Sequence, residues 1–206
     1  MTRRLGARIE AAFESQADAR VIGPGLGTLT PPQLLALKHG LAQDSTPTVL
    51  DADALNAIAG AGLQELLRPH HLLTPHPGEF ARLAPDLAVL PRIEAVRHFI
   101  RRHPCTLLLK GTRTLVASAS GEITLSPTGH AGMASGGQGD VLAGVAGALL
   151  AGGQSPFQAA MLAAWLCGRA AERALTHAGA SEASLSAGDN LDQLGGAFTD
   201  WKERRR

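Results

Sequence analysis

Residues 129–153, GHAGMASGGQGDVLAGVAGALLAGG, constrain the fold of this chain more than any other stretch. Glycine crowds the first half, and after Asp140 the pattern turns apolar at helical spacing. Val141, Leu142, Val145 and Leu149 share one face, with small residues between them. Gly136, Gly137 and Gly139 are then expected just ahead of the first helical turn, where backbone N–H groups lack partners inside the helix. A loop without side chains lets an anion reach those groups, and the helix dipole adds roughly half a positive charge there. Asp140 does not suit a mere phosphate ligand, because its carboxylate would repel one. Two readings stay open for it: an acidic cap on a buried helix, or a base beside the place where negative charge arrives. The stretch is not a P-loop, since no Gly-Lys-Ser/Thr follows the glycines. It is not a dinucleotide fingerprint either, since no clear strand runs straight into it.

Upstream, the pattern alternates between short apolar runs and amphipathic segments. Residues 4–17 read as a helix on Leu5, Ile9, Ala12 and Phe13, leading to a strand around Arg20 to Ile22. GPGLG at 23–27 is a turn only glycine and proline tolerate so densely. Thr30 caps a helix expected from Pro31 to about Ala42, with proline in its permitted first turn. Pro47 to Leu50 is a buried strand ending in DADALN, 51–56. A helix is expected through Leu63 to Leu67, then a strand over His70 to Thr74. PHPGE at 75–79 opens a helix with Glu79 in its first turn, and Pro91 starts another. Cys105 to Leu109 is a strand ending at Lys110-Gly111, and a hairpin over 113–125 turns at Ser120-Gly121. After the glycine loop and its helix comes a second helix over Pro156 to His177. A polar tail from Ala180 is expected to finish in a short helix.

Strands alternating with helices imply an α/β domain with a mainly parallel sheet. GPGLG, DADALN, TPHPGE and LLLKGTRT each directly follow an expected strand. Ligands of open parallel sheets bind in the crevice beyond the strand C-termini. These motifs therefore converge with GGQGD on one edge. At 206 residues the chain suits one domain, 1–206. A net charge of +1 and 3% aromatic residues without tyrosine exclude nucleic acid as an expected partner. The basic tail at 202–206 reads as solvated. No apolar run reaches roughly 18 residues and no apolar signal region opens the chain, so no membrane partner and a cytoplasmic location are expected. Cys105 and Cys167 read as reduced core residues, and no metal-ligand spacing is present.

The ordered motifs GPGLG, LDADALN, LTPHPGEF, LLLKGTRT and GMASGGQGDVLAGVAGALLAGG resemble the ADP- or ATP-dependent NAD(P)H-hydrate dehydratase family, of the ribokinase-like superfamily, over roughly residues 20–195. The resemblance implies a three-layer α/β/α fold with a mainly parallel sheet. It also implies restoration of NADH or NADPH from its hydrated form at the expense of ADP or ATP, with Mg2+. By similarity Asp140 is the catalytic base. Gly25, Gly27 and His76 contact the hydrate with it. Lys110, Gly111, Thr112, Arg113 and Thr114, with Ser135, Gly136, Gly137 and Gly139, hold the nucleotide. From the residues alone, Gly25 and Gly27 could be plain turn glycines, His76 a helix cap and Lys110 a solvated end of a strand. Asp51 and Asp53 could order phosphate or magnesium, or cap a helix. The resemblance also suggests a homo-oligomer and an NAD(P)H-hydrate epimerase as functional partner.

The chain departs from the family pattern in places. Nothing before Arg20 reads as the family's glycine-rich strand and turn, so the first strand or strands of the domain are expected to be absent. His130 stands where the family usually has asparagine, and CGRAAERA, 167–174, where it usually has an HGxAGD-like segment. Two other functions use the same base and anion site: a small-alcohol kinase of the superfamily acting on a hydroxymethylpyrimidine or thiazole, and a non-catalytic nucleotide-binding remnant.

Overall fold

The computed structural model describes residues 16–204 together with Ile9, Ala12 and Phe13. The rest of the helix expected over 4–17 lies outside the described residues. Six strands form one sheet: β1 (Arg20–Ile22), β2 (Thr48–Leu50), β3 (His71–Leu73), β4 (Thr106–Leu109), β5 (Leu115–Ala117) and β6 (Ile123–Leu125). They lie side by side in sequence order. β1 to β4 are parallel, and β5 and β6 are each antiparallel to the strand before. The hairpin between β5 and β6 closes near the expected turn, where Gly121 takes φ +93° and donates to the Ser118 carbonyl at 3.0 Å.

Alternation along each strand sorts the core into two layers. Leu50, Leu73, Leu107, Leu109, Leu115 and Ala117 face one side. Val49, Leu72, Leu108 and Val116 face the other. The first side is covered by α1 (Pro31–Gln43), α2 (Ala52–Ala61), α3 (Pro77–Leu83) and α4 (Arg92–Arg102). The second is covered by α5 (Gln138–Ala151) and α6 (Pro156–His177), with α7 (Ala187–Glu203) packed outside them. A strand buried on both faces reads as a continuous apolar run, as TLLL at β4 does. Cys105 and Cys167 are free and buried within these layers, and burial pushes the Cys167 thiol up to about 12.

Three local expectations change. Residues 63–67 hold only a 3-10 turn, Gln64–Leu66. The helix is α2, which starts directly after Asp51 and stops at Gly62 in the left-handed region, φ +65°. DADALN is therefore the start of this helix, with Asp51 at the N-cap position. The C-terminal helix is not short: α7 runs 17 residues, because Ser186 and Asp189 form a capping box at its start. Finally, α5 begins at Gln138 with Gly137 as its N-cap, so Gly139 lies inside the first turn. Its apolar stripe is broader than one face. Val141 and Leu142 meet the sheet layer, while Val145 and Leu149 pack against residues of α6 and α7. Gly147 lets α5 approach β1, where a Cβ would overlap the Val21 side chain.

Candidate functional site

The four parallel strands end side by side, and the backbone beyond them is stitched together. The Asp51 N–H donates to the Ile22 carbonyl at 3.1 Å, Thr74 to Leu50 at 3.1 Å, and Lys110 to Pro75 at 2.8 Å. Gly23 has φ +134°, and any Cβ on it would overlap the Asp51 carbonyl. Only glycine lets GPGLG pass so close to DADALN. Farther along that turn, the Gly27 N–H donates to Asp53 Oδ2 at 2.7 Å. Gly25 and Gly27 both have positive φ with open space around them.

A chain of charges runs across this edge. Lys110 Nζ lies 3.0 Å from Asp51 Oδ1 and 3.8 Å from Glu79 Oε2. Asp51 is 1% exposed, so its carboxylate depends on this partner. Asp51 occupies the N-cap position of α2 but makes no capping hydrogen bond with its side chain, and the side chain is given to Lys110 instead. Glu79 Oε2 also accepts the His76 N–H at 2.7 Å. His76 does cap α3: its Nδ1 accepts from the N–H groups of Gly78 at 3.0 Å and Glu79 at 3.3 Å. With Nδ1 accepting, the neutral ring carries its proton on Nε2, which stands 3.5 Å from Glu79 Oε1. Glu79 thus joins His76 to Lys110. Sequence reading placed it only as a first-turn acid.

The KGTRT loop is held from outside by Arg92. Its Nη1 donates to the Thr112 carbonyl at 3.0 Å and the Arg113 carbonyl at 3.4 Å. Its Nη2 donates to the Leu109 and Lys110 carbonyls, both at 3.4 Å. Gly111, φ +135°, leaves room for that guanidinium, and Arg113 takes a left-handed φ of +59°. Sequence reading missed Arg92, though a signal existed. A cation at the first position of a helix opposes the helix dipole, which points to an engagement elsewhere. Thr114 lends its carbonyl to the Ser126 N–H at 2.9 Å.

The glycine loop closes the site from the second face of the sheet. Gly137 is left-handed at φ +84°, and Gly136 has open space where a side chain would stand. The Cβ position of Gly139 is 3.4 Å from Lys110 Nζ and 3.7 Å from Asp51 Oδ2, so the first turn of α5 abuts the Lys110–Asp51 pair. Asp140 is exposed in that same turn. Ser135 Oγ donates to the Leu185 carbonyl at 3.1 Å. The structure thus brings Lys110, His76 and Gly139 into one linked group, with Gly27 tied to it through Asp53 in the first turn of α2.

The departures have structural work to do. His130 caps a 3-10 turn, Ala131–Met133, its Nδ1 accepting from Gly132. CGRAAERA supplies Glu172, whose Oε1 accepts the Gly129 N–H at 3.0 Å at the start of the loop. It also supplies Arg169 and Arg173, which grip Asp200 of α7 at 2.6 and 3.0 Å. A cavity of about 560 Å3 lies elsewhere, on the flank between β5, β6 and the helices, lined by Val116, Leu125, Trp165 and Trp201 among others. None of the motif residues lines it. Among the described residues no group of three or more His, Cys, Asp or Glu is placed to hold a metal ion. None of the described helices is long and apolar enough to cross a membrane.

The sequence profile of the family described as NAD(P)H-hydrate dehydratase matches residues 2–193. A bifunctional NAD(P)H-hydrate repair enzyme of Moorella thermoacetica is 40% identical over 185 residues, covering 87% of this chain and 34% of the relative. An ADP-dependent (S)-NAD(P)H-hydrate dehydratase of Neisseria meningitidis is 42% identical over 186 residues, covering 86% of this chain and 62% of the relative. The chain thus spans about a third of the length of the first and under two thirds of the second. Among solved structures, the ADP/ATP-dependent NAD(P)H-hydrate dehydratase of Bacillus subtilis, co-crystallised with ATP and Mg2+, superposes with a TM-score of 0.77 at 30% identity. That superposition covers 95% of this chain and 69% of the other. The fold is ribokinase-like.

Proposed function

The chain belongs to the NAD(P)H-hydrate dehydratase family, and we propose that it restores NADH or NADPH from the hydrated form at the expense of ADP or ATP. The observation that carries this reading is the meeting of the first turn of α5 with the Lys110–Asp51 pair, with Asp140 in that turn. An anion-accepting helix start, a tethered cation and an exposed carboxylate are the three parts a phosphoryl transfer to an alcohol needs.

Asp140 takes the proton of the hydrate's ring hydroxyl, and the freed oxygen attacks the terminal phosphorus of the nucleotide. The bond from that phosphorus to the remaining nucleotide breaks, releasing AMP or ADP. The backbone N–H groups from Ser135 to Gly139 and the Lys110 ammonium stabilise the oxygens of the phosphoryl group in transit. The ring C–O bond then breaks, phosphate leaves with its electron pair, a ring proton is lost, and the double bond of the reduced nicotinamide is restored. Gly25, Gly27 and His76 line the hydrate side, and Lys110 to Thr114 the nucleotide side. Magnesium would enter on the nucleotide's phosphates, because the Asp51 and Glu79 carboxylates are already engaged with Lys110. The same reading includes an NAD(P)H-hydrate epimerase as functional partner and self-association of this chain.

The test is to incubate the chain with NADH hydrate, Mg2+ and either ADP or ATP while following recovery of NADH absorbance. Nucleotide-dependent recovery that drops by about 10²–10⁴-fold in Asp140→Asn, with nucleotide binding retained, is the expected result. Phosphate retained on the product would instead indicate a kinase. Nucleotide binding without turnover in the wild-type chain would indicate a binding protein.

A further inference from the structure

The glycine loop is held partly from outside itself. Gly136 and Gly137 contribute no side chains, Glu172 holds the loop's start at Gly129, and Ser135 and Gln138 are held by a segment about fifty residues later. Asn190, in the first turns of α7, donates from Nδ2 to Gln138 Oε1 at 2.8 Å. Gln138 Nε2 reaches Ser135 Oγ at 3.4 Å, and Ser135 Oγ donates to the Leu185 carbonyl at 3.1 Å. The start of α7 also presses on the loop directly, since a Cβ on Gly137 would stand 3.0 Å from Ala187 Cβ. Asn190 is wholly buried and Gln138 is 8% exposed.

We propose that Asn190 is a positioning residue for the anion loop, acting through Gln138 and Ser135, so that docking of α7 fixes the backbone that receives the nucleotide's phosphates. The consequence for nucleotide rests on the function proposed above, whereas the effect on the loop does not. A buried amide is worth its desolvation only where its bonds are made. Among the described residues the buried Asn190 Oδ1 has no partner, so half of this amide is left without a bond there. An apolar side chain of similar size would fill the same space without that penalty. What the amide contributes in return is a directional bond to Gln138, whose own amide sits in the first turn of α5 between the loop and the helix. Such a bond sets orientation rather than stability.

Hydrogen exchange without nucleotide reads the loop alone. In Asn190→Leu, the amides of residues 135–139 are expected to exchange about tenfold faster, while those of β2 and β3 keep their wild-type rates. ADP affinity is expected to weaken about fivefold or more, and kcat at saturating ADP to fall as well, because the same N–H groups serve the phosphoryl group in transit. A second variant, Gln138→Leu with Asn190→Leu, removes both buried amides together and is expected to regain thermal stability but neither loop protection nor ADP affinity. If the double variant recovers all three, the pair only packs and the proposal falls. If Asn190→Leu leaves loop exchange unchanged, it falls whatever happens to activity. Faster loop exchange in a chain that shows no hydrate turnover would uphold the positioning role and overturn the dehydratase reading instead.

Discussion

Asp51→Asn puts the ion pair at the centre of the site to the test. The substitution keeps size and shape, and asparagine suits an N-cap as well as aspartate does, so the start of α2 is undisturbed. What changes is the charge facing Lys110 at 3.0 Å. Two unit charges at that separation attract by about 5 kcal/mol at an effective dielectric constant near 20. Losing one partner of a buried pair costs about 3–5 kcal/mol. Here Lys110 keeps Glu79 at 3.8 Å and a route to solvent through a side chain 21% exposed. The expected net loss is therefore smaller, about 2 kcal/mol, a fall in Tm of about 4–8 °C for a chain of this size. Urea unfolding at neutral pH measures it, with an unchanged m-value confirming that the transition is the same one. Lys110→Met and the double variant complete a cycle, whose coupling energy is expected at about 1–2 kcal/mol. Because Asp51 is buried, raising the salt concentration should leave that coupling nearly intact. Additive single effects, or a loss under about 0.5 kcal/mol in Asp51→Asn, would mean that the pair is a solvated contact and the tether argument is wrong.

Gly23→Ala should unfold the chain or cost several kcal/mol, since its Cβ would overlap the Asp51 carbonyl, whereas Gly25→Ala, in open space at φ +69°, should cost about 1–2 kcal/mol; chemical denaturation compares the two. Arg92→Ala frees three carbonyls of the KGTRT loop and that of Leu109 at the end of β4, and should raise the KM for nucleotide about tenfold while leaving the KM for hydrate within about twofold, measured by varying each substrate in turn. His71 predicts an acid-sensitive fold. Burial, reinforced by the His70 and Arg68 charges, lowers it from 6.5 to about 3, and its Nδ1 accepts the Arg68 N–H at 3.0 Å, which requires the unprotonated nitrogen. The unfolded chain takes up that proton first, so the contribution is complete above pH 6.5 and is lost as pH falls toward 3. Between pH 7 and 5 the loss should be about 2 kcal/mol, and His71→Asn should flatten that slope in urea titrations.

The motifs after each strand were legible because they are punctuation: glycine and proline at 23–27, proline at 75 and 77, Lys110-Gly111 after an apolar run. Strand and helix boundaries followed wherever a capping residue preceded an apolar face, as at Pro31 and Pro156. What was not legible depends on partners distant in sequence. Asp51 reads as a helix cap because it holds a cap position. Its side chain turns away only because Lys110, 59 residues later, ends a strand two places over in the sheet. The length of α7 was hidden by its small and polar residues, which become an interface only when Arg169 and Arg173 reach Asp200. The direction of Gln138 had no local signal at all.

The late position of the glycine loop follows from the sheet. Strands β1 to β4 are parallel neighbours in sequence order, and right-handed crossovers between such strands put every connecting helix on one face. The core bears this out, since α1 to α4 share one layer. The second face is covered by chain that follows the strands, α5 and α6. β6, antiparallel to β5, which is itself antiparallel to β4, points the same way as β4 and delivers the chain to the edge where the first four strands end. A helix that starts there and runs back across the sheet has its N-terminus against Asp51 and Lys110. The meeting of the glycine loop with the tethered lysine is thus a product of topology, and substitutions within either partner change its chemistry without moving its place. Moving it would require reordering the strands.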